Sequence, residues 1–346
     1  MGPMGRGLRY VEAAVLVAIV GACSSAAATA TPAAIATATT AVSTPLPTAA
    51  PLNIALINPV DGIPFSTTLG CGAKAAGKEF NVNVSTQGSP TGSVDTQVQL
   101  LNGVMQRKPD GLVLAPDDAT ALIPTVQQII SGGTPVVTVD LSLSQPIDLQ
   151  NLRPDTLALG ASAADQMATI LGSKGGKVLV LGWAPGIVAN QQRADGFINQ
   201  IKLKYPQIQL LPEQFIGVDQ NKAAQATAAT LQAHPDLAGI YTTHGIGAAG
   251  AAAAVLNANL KGKVHIVAFD ADPQEVRDLN DGVYDALVAQ PPYQEGYQAV
   301  KLLAQVLRKE VDPKAVQHQM YLPGVIVTRD NVSSSGVQPF LYLASC

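Results

Sequence analysis

Val264-His265-Ile266-Val267-Ala268-Phe269-Asp270, followed at once by Ala271-Asp272-Pro273-Gln274-Glu275, is the stretch that decides the fold. Its first part is a short apolar run without a turn former, which reads as a strand buried on both faces. Its second part is a helix start, with Asp272 as N-cap, Pro273 at the first helical position and Glu275 at the third, and Gly282 ends that helix. A buried strand that ends on an aspartate and passes directly into a capped helix is one βα unit.

Outward from this stretch the unit recurs. Asn53 to Asn58, Gly111 to Ala115, Pro135 to Val139, Lys177 to Leu181 and Leu237 to Tyr241 are further buried strands. Helical stretches lie between them; Val94, Val98, Leu101 and Met105, for example, repeat at helical spacing before Lys108-Pro109 stops the element. The alternation runs twice, from Leu52 to about Asp155 and from about Leu157 to Gln290. The expected fold is therefore α/β, with two doubly wound parallel-sheet lobes and a cleft between them. Ligands of such sheets sit outside the carboxyl ends of the strands. Asn58 and then Phe65, Asp140, Trp183, His244, Asp270 and Gln290 are the polar and aromatic residues at or just beyond those ends, and Arg193 lies early in the helix that follows Trp183.

The amino terminus reads differently. Arg6 and Arg9 precede an apolar segment from Ala13 to Ala22, closed by Val20-Gly21-Ala22-Cys23. That is the layout of a lipoprotein export signal over residues 1–22, too short to cross a hydrocarbon core of roughly 30 Å, with Cys23 as the lipidated first residue of the mature protein. From Ser24 to Pro51 nearly every residue is Ala, Thr, Ser or Pro, so residues 23–51 are expected to be a disordered tether on the extracytoplasmic face of the membrane. If Cys23 carries lipid, Cys71 and Cys346 remain, and an oxidising compartment permits a disulfide between them; a buried thiol at Cys71 and a frayed terminus at Cys346 is the other reading. The net charge of −4, with no basic cluster in the body, argues against a nucleic-acid partner. With aromatics at 4% and hydrophobic residues at 47%, the core must be built from Ala, Val, Leu and Ile.

In order and spacing, Ile63-Pro64-Phe65, Pro135 to Asp140, Arg193-Ala194-Asp195-Gly196-Phe197, Ala233-His234-Pro235-Asp236, Val267 to Asp270 and Ala289-Gln290-Pro291 resemble the type I periplasmic binding proteins of the ribose and galactose group. The resemblance spans nearly all of Leu52 to Val332. It implies a three-strand hinge near Arg153 to Gly160, Gln290-Pro291 and Tyr321 to Gly324, with residues 52–157 and 291–320 in one lobe and 158–290 and 321–346 in the other. It also implies a monomeric substrate-binding protein of an ABC importer that binds a small sugar-like ligand without metal or cofactor. Phe65 would stack on the sugar ring, and Asp140, Arg193, Asp270 and Gln290 would bond its hydroxyls. His244 stands where the group usually has asparagine. Ile63, Ser66, Leu141 and Val218 replace an asparagine, an aromatic, an arginine and an aromatic of the ribose binders, which argues against ribose itself and leaves Trp183 to supply stacking surface.

Two other function classes are readable. Gly245-Ile246-Gly247-Ala248-Ala249-Gly250, with Asp270 twenty residues on, fits the dinucleotide pattern of an NAD-dependent oxidoreductase. Polar Thr242-Thr243-His244 separates those glycines from their strand, and close helix packing explains them as well. No G-x-S-x-G, H-E-x-x-H or zinc-spaced Cys/His set is present, so the chain is read as a binding protein and not an enzyme. A receptor that passes its signal to a membrane sensor instead of a transporter is the remaining alternative.

Overall fold

The first sheet is formed by β1 (Leu52–Asn58), β2 (Val82–Gly88), β3 (Gly111–Leu114), β4 (Val136–Val139) and β5 (Gln150–Pro154), with helices α1 (Pro64–Glu79), α2 (Val94–Met105) and α3 (Ile123–Ser131) in the crossovers. The computed structural model describes residues 50–185 and 188–346, so the expected signal segment, Cys23 and all but the last two residues of the tether lie outside the described residues. The chain then builds a second sheet from β6 (Gly176–Gly182), β7 (Ile208–Leu210), β8 (Gln214–Phe215), β9 (Leu237–Thr242), β10 (His265–Phe269) and β11 (Ala286–Ala289). Its helices are α4 (Thr156–Leu171), α5 (Val188–Lys204), α6 (Gln220–Ala233), α7 (Gly245–Asn257) and α8 (Pro273–Asn280). Helix α9 (Pro292–Leu307) returns to the first sheet, where it packs on α1, β3, β4 and β5. Strand β12 (Gln319–Leu322) then extends that sheet, and β13 (Val325–Val327) the second.

The two sheets have the same topology. The first runs β12-β5-β4-β3-β1-β2 and the second β13-β11-β10-β9-β6-β7, with all pairs parallel except β11 with β13. In each, the winding direction reverses beside the first strand of the lobe, between β1 and β3 and between β6 and β9, which places a crevice at their carboxyl ends. The chain passes between sheets at Asp155, which N-caps α4, at Gln290-Pro291, and at Pro323-Gly324. The third passage comes later than the 320/321 boundary read from the sequence, because Tyr321 and Leu322 continue the register of β12 on Arg153 and Pro154.

The core follows the composition. Ile54, Leu56, Val113, Val137 and Leu152 are buried in the first lobe, and Leu179, Leu181, Ile240, Ile266 and Leu287 in the second, each side chain worth about 1.5–3 kcal/mol. One close approach positions the site. A Cβ on Gly160 would lie 2.2 Å from the Arg193 carbonyl oxygen, and one on Gly196 would lie 2.1 Å from that of Leu157. Glycine at both points lets α4 and α5 touch backbone to backbone, and Arg193 sits on α5 at that crossing. Among the described residues no helix is long and apolar enough to cross a membrane, and no group of His, Cys, Asp and Glu could hold a metal ion.

Candidate functional site

Arg193 is the centre of the site. It is 7% exposed; its Nη1 donates to the Thr243 carbonyl at 3.0 Å and its Nη2 to Gln290 Oε1 at 3.1 Å, while the guanidinium lies 3.9 Å over the Phe269 ring. The planar fork and the aromatic support hold the arginine in one orientation. Gln290, at the carboxyl end of β11, donates from Nε2 to Asp270 Oδ1 at 2.9 Å. Asp270 follows β10 with φ 88°, a left-handed backbone that aspartate tolerates better than most residues, and its N–H donates to the Val288 carbonyl.

His244 is the N-cap of α7, where its Nδ1 accepts from the Gly247 N–H at 3.3 Å. Its Nε2 is buried and has no partner. Burial, with Arg193 adding to it and Asp270 opposing, pulls this imidazole down to about 4, so it is neutral at physiological pH. Trp183, after β6, reaches the cluster through His244, ring centroids 5.3 Å apart. The glycines after His244 start α7, and a Cβ on Gly250 would lie 2.4 Å from the Gln220 carbonyl and 2.5 Å from Ala223 Cβ on α6. They serve helix-to-helix packing; in front of Gly245 stands the buried Glu275 carboxylate, not open space for a pyrophosphate.

From the first sheet, Asp140 ends β4 with φ 62°, and its N–H donates to the Leu152 carbonyl. Burial pushes its carboxyl up to about 6, against the pull of Arg193 and with a further push from Asp270. Those two groups belong to the second lobe, and the lobes meet here through Tyr342, whose ring is 5.9 Å from Phe65 of α1 and whose hydroxyl is 3.1 Å from Asp270 Oδ1. Phe65, at the second position of α1, is partly buried against the first-lobe core, and its ring meets Tyr342 edge-on. The structure thus gathers Asp140, Arg193, His244, Asp270 and Gln290 into one electrostatic cluster, with Trp183 and Phe65 at its margins.

Several residues belong to this region that the sequence reading left out of the binding set. Asn58, at the end of β1, keeps a buried Oδ1 without a partner, and Asp117, just beyond adjacent β3, keeps a buried Oδ2 in the same condition while burial raises its carboxyl to about 7. Glu295, fully buried near the start of α9, and Glu275 on α8 are pushed well above the carboxylate range, first by burial and then by Asp140 for the one and Asp270 for the other. Tyr342 is the least expected: its hydroxyl lies 3.1 Å from Asp270 Oδ1 and 3.3 Å from Gln290 Nε2, and its ring meets Phe65 edge-on at 5.9 Å. The signal for it was the cysteine arithmetic, since Cys71 and Cys346 are bonded to one another and a bond to α1 draws the preceding residues toward Phe65.

Comparison with known proteins shows the family to which this fold belongs. A family model for the periplasmic binding protein domain matches residues 54–310. The D-allose-binding periplasmic protein of Escherichia coli (strain K12) is 29% identical over 252 residues, 69% of this chain and 79% of that protein. The ribose import binding protein of Bacillus subtilis (strain 168) is 28% identical over 260 residues, 75% of this chain and 83% of that protein. A solved ABC transporter solute binding protein from Agrobacterium vitis, bound with alpha-D-tagatopyranose, matches with a TM-score of 0.77 and 30% identity over 84% of this chain and 99% of its own.

Proposed function

This chain belongs to the periplasmic binding protein domain family, and from that premise we propose that it is the substrate-binding protein of a sugar ABC importer. It works outside the cytoplasm, held to the membrane by lipid on Cys23. The observation that carries the sugar reading is the convergence of Arg193, Asp270 and Gln290 from one sheet with Asp140 from the other, at the carboxyl ends of both. A sugar presents hydroxyls that donate and accept around an apolar ring face. Carboxylates accept from them, the guanidinium and amide donate to them, and Phe65 and Trp183 offer flat surface for the ring.

Magnitudes suit the task. Hydrogen bonds to charged groups contribute about 1.5–3 kcal/mol each, and a micromolar complex needs only about 8 kcal/mol. The ligand touches both lobes only when they meet, so its preference for the closed arrangement drives closure. Moving from mostly open to mostly closed takes about 5.5 kcal/mol of that preference. The permease then distinguishes loaded from unloaded protein by shape.

A thermal-shift screen of the full-length protein against pentoses, hexoses, polyols, nucleosides and NAD tests the reading. A ligand at a hundredfold its dissociation constant adds about 2.7 kcal/mol, which raises the midpoint by several degrees. A rise with sugar-like compounds and none with NAD is expected; a rise with NAD alone would overturn the reading. Cys23→Ser is expected to release the protein from membranes, and retention of that variant would count against the anchor.

A further inference from the structure

After the third passage between sheets, the chain makes a fourth. Val332 and Val337 sit in the core of the second lobe, and the Tyr342 N–H donates to the Ala271 carbonyl at 3.0 Å. One residue later the Leu343 N–H donates to Thr68 Oγ1 at 2.6 Å on α1 of the first lobe. Cys346 is then bonded to Cys71 on the same helix, 275 residues away in sequence with Cα atoms 5.4 Å apart. The four peptide units from Tyr342 to Cys346 extend at most about 14 Å, so this strap also limits how far the cleft can open there.

Tyr342 begins the strap and is 5% exposed. Its hydroxyl donates to Asp270 Oδ1 and accepts from Gln290 Nε2, and its ring meets Phe65. Those three residues are ones the site otherwise offers to a ligand. A phenol hydroxyl has the same donor and acceptor capacity as a sugar hydroxyl, so the chain meets part of its own recognition surface.

We propose that Tyr342 is a specificity-determining residue of the binding site, held in place by the Cys71–Cys346 bond. Its ring covers the edge of Phe65 and its hydroxyl takes one hydrogen-bonding position on each of Asp270 and Gln290, so the ligand meets these residues in a smaller space, together with Asp140, Arg193 and His244. The site then takes a pentose or a short polyol and turns away hexoses. This deepens the sugar-receptor reading and rests on it.

Hydrogen bonding within the cluster supports the assignment. Within the cluster, Arg193 Nε and His244 Nε2 are buried without partners, as is Glu275 Oε1 behind Asp270, whereas Asp270 Oδ1 and both ends of the Gln290 amide are engaged. A buried polar atom without a partner costs about 1–3 kcal/mol, so a ligand hydroxyl that reaches Arg193 Nε or His244 Nε2 recovers part of that cost. The engaged atoms mark where the protein has supplied a hydroxyl of its own.

Titration calorimetry of the full-length protein with D-ribose, xylitol, D-allose and D-tagatose tests this. Removal of the ring in Tyr342→Ala is expected to shift the ratio of pentose to hexose dissociation constants toward hexoses by about tenfold or more, on the scale of a pocket-size change. Tyr342→Phe keeps the volume and should keep the order of preference. The double variant Cys71→Ser, Cys346→Ser should shift the ratio in the same direction as the alanine variant, by less. If the wild type already prefers hexoses, or if the alanine variant binds every sugar as the wild type does, the assignment of Tyr342 is overturned while the receptor reading stands. If neither the wild type nor any variant binds a sugar, the receptor reading falls and this one with it.

Discussion

Asp140 and Asp270 are the same device used twice. Each ends a central strand of its sheet, each has a left-handed backbone, and each donates its N–H to a carbonyl of the next strand, Leu152 for one and Val288 for the other. Each also faces a buried glutamate on a following helix, Glu295 or Glu275. Yet Asp270 accepts from Gln290 and Tyr342, while no described residue donates to the Asp140 carboxylate, which burial raises to about 6. Equal topology therefore does not give equal chemistry. A strand-end carboxylate is set by what the rest of the chain brings to it, and in this protein the carboxy-terminal tail reaches only one of the pair.

The largest way to test that contrast is to remove what the two acids share. Arg193 influences both lobes, so Arg193→Ala is expected to weaken sugar binding by about 3 kcal/mol, more than a hundredfold, as for other truncated buried charge partners. Calorimetry reads the loss, and binding at wild-type strength would remove Arg193 from the site. A smaller effect separates the two acids. At pH 8, Asp270→Ala should cost about 2 kcal/mol more stability than Asp140→Ala, because it strips a shared acceptor from Tyr342 and Gln290. The cost of alanine in a left-handed backbone is common to both and cancels in the difference. Equal urea midpoints for the two variants would show that the tail contributes nothing to Asp270.

Much of this was legible beforehand, for identifiable reasons. The run from Val264 to Phe269 becomes β10, and the Asp272–Glu275 capping box forms with both reciprocal bonds, since local chemistry alone dictates them. Strand β5 was not read because it is polar. Gln150 and Asn151 are buried in it, and their amide nitrogens donate to the Gln317 carbonyl, Thr138 Oγ1 and the Leu141 carbonyl, a tertiary arrangement that leaves no hydrophobic period. Strand β2 alternates buried and exposed residues but carries Asn, Ser, Thr and Gln, so its signal is weak as well. Phe65 and Asp270 are accessible from their places after strands, and Arg193 from its place early in the helix after β6. Tyr342 is not, because its place depends on a bond between residues 275 positions apart.

The effect that is smallest at any one step of pH is the most discriminating, because it sets one lobe's acid against the other lobe's imidazole. Asp140 has a folded value of about 6 against an ordinary 3.8, so between those limits the native state holds a proton the unfolded chain lacks, and stability falls as pH rises. His244 has a folded value of about 4 against an ordinary 6.5, so in that window the unfolded chain holds the extra proton, and stability rises with pH. Arg193 and Asp270 act on both groups, with Glu295 beside Asp140, but the two slopes are opposite and nearly cancel between about pH 4 and 6. Asp140→Asn leaves the histidine slope uncompensated, so stability relative to wild type should gain about 1.4 kcal/mol for each unit of rising pH. His244→Asn, which keeps an N-cap side chain for α7, should tilt the curve by a similar amount the other way. Urea denaturation at half-unit steps of pH reads both slopes. Parallel curves for the wild type and both variants would mean that neither group is held away from its ordinary protonation, and the unequal treatment of the two lobes would lose its electrostatic basis.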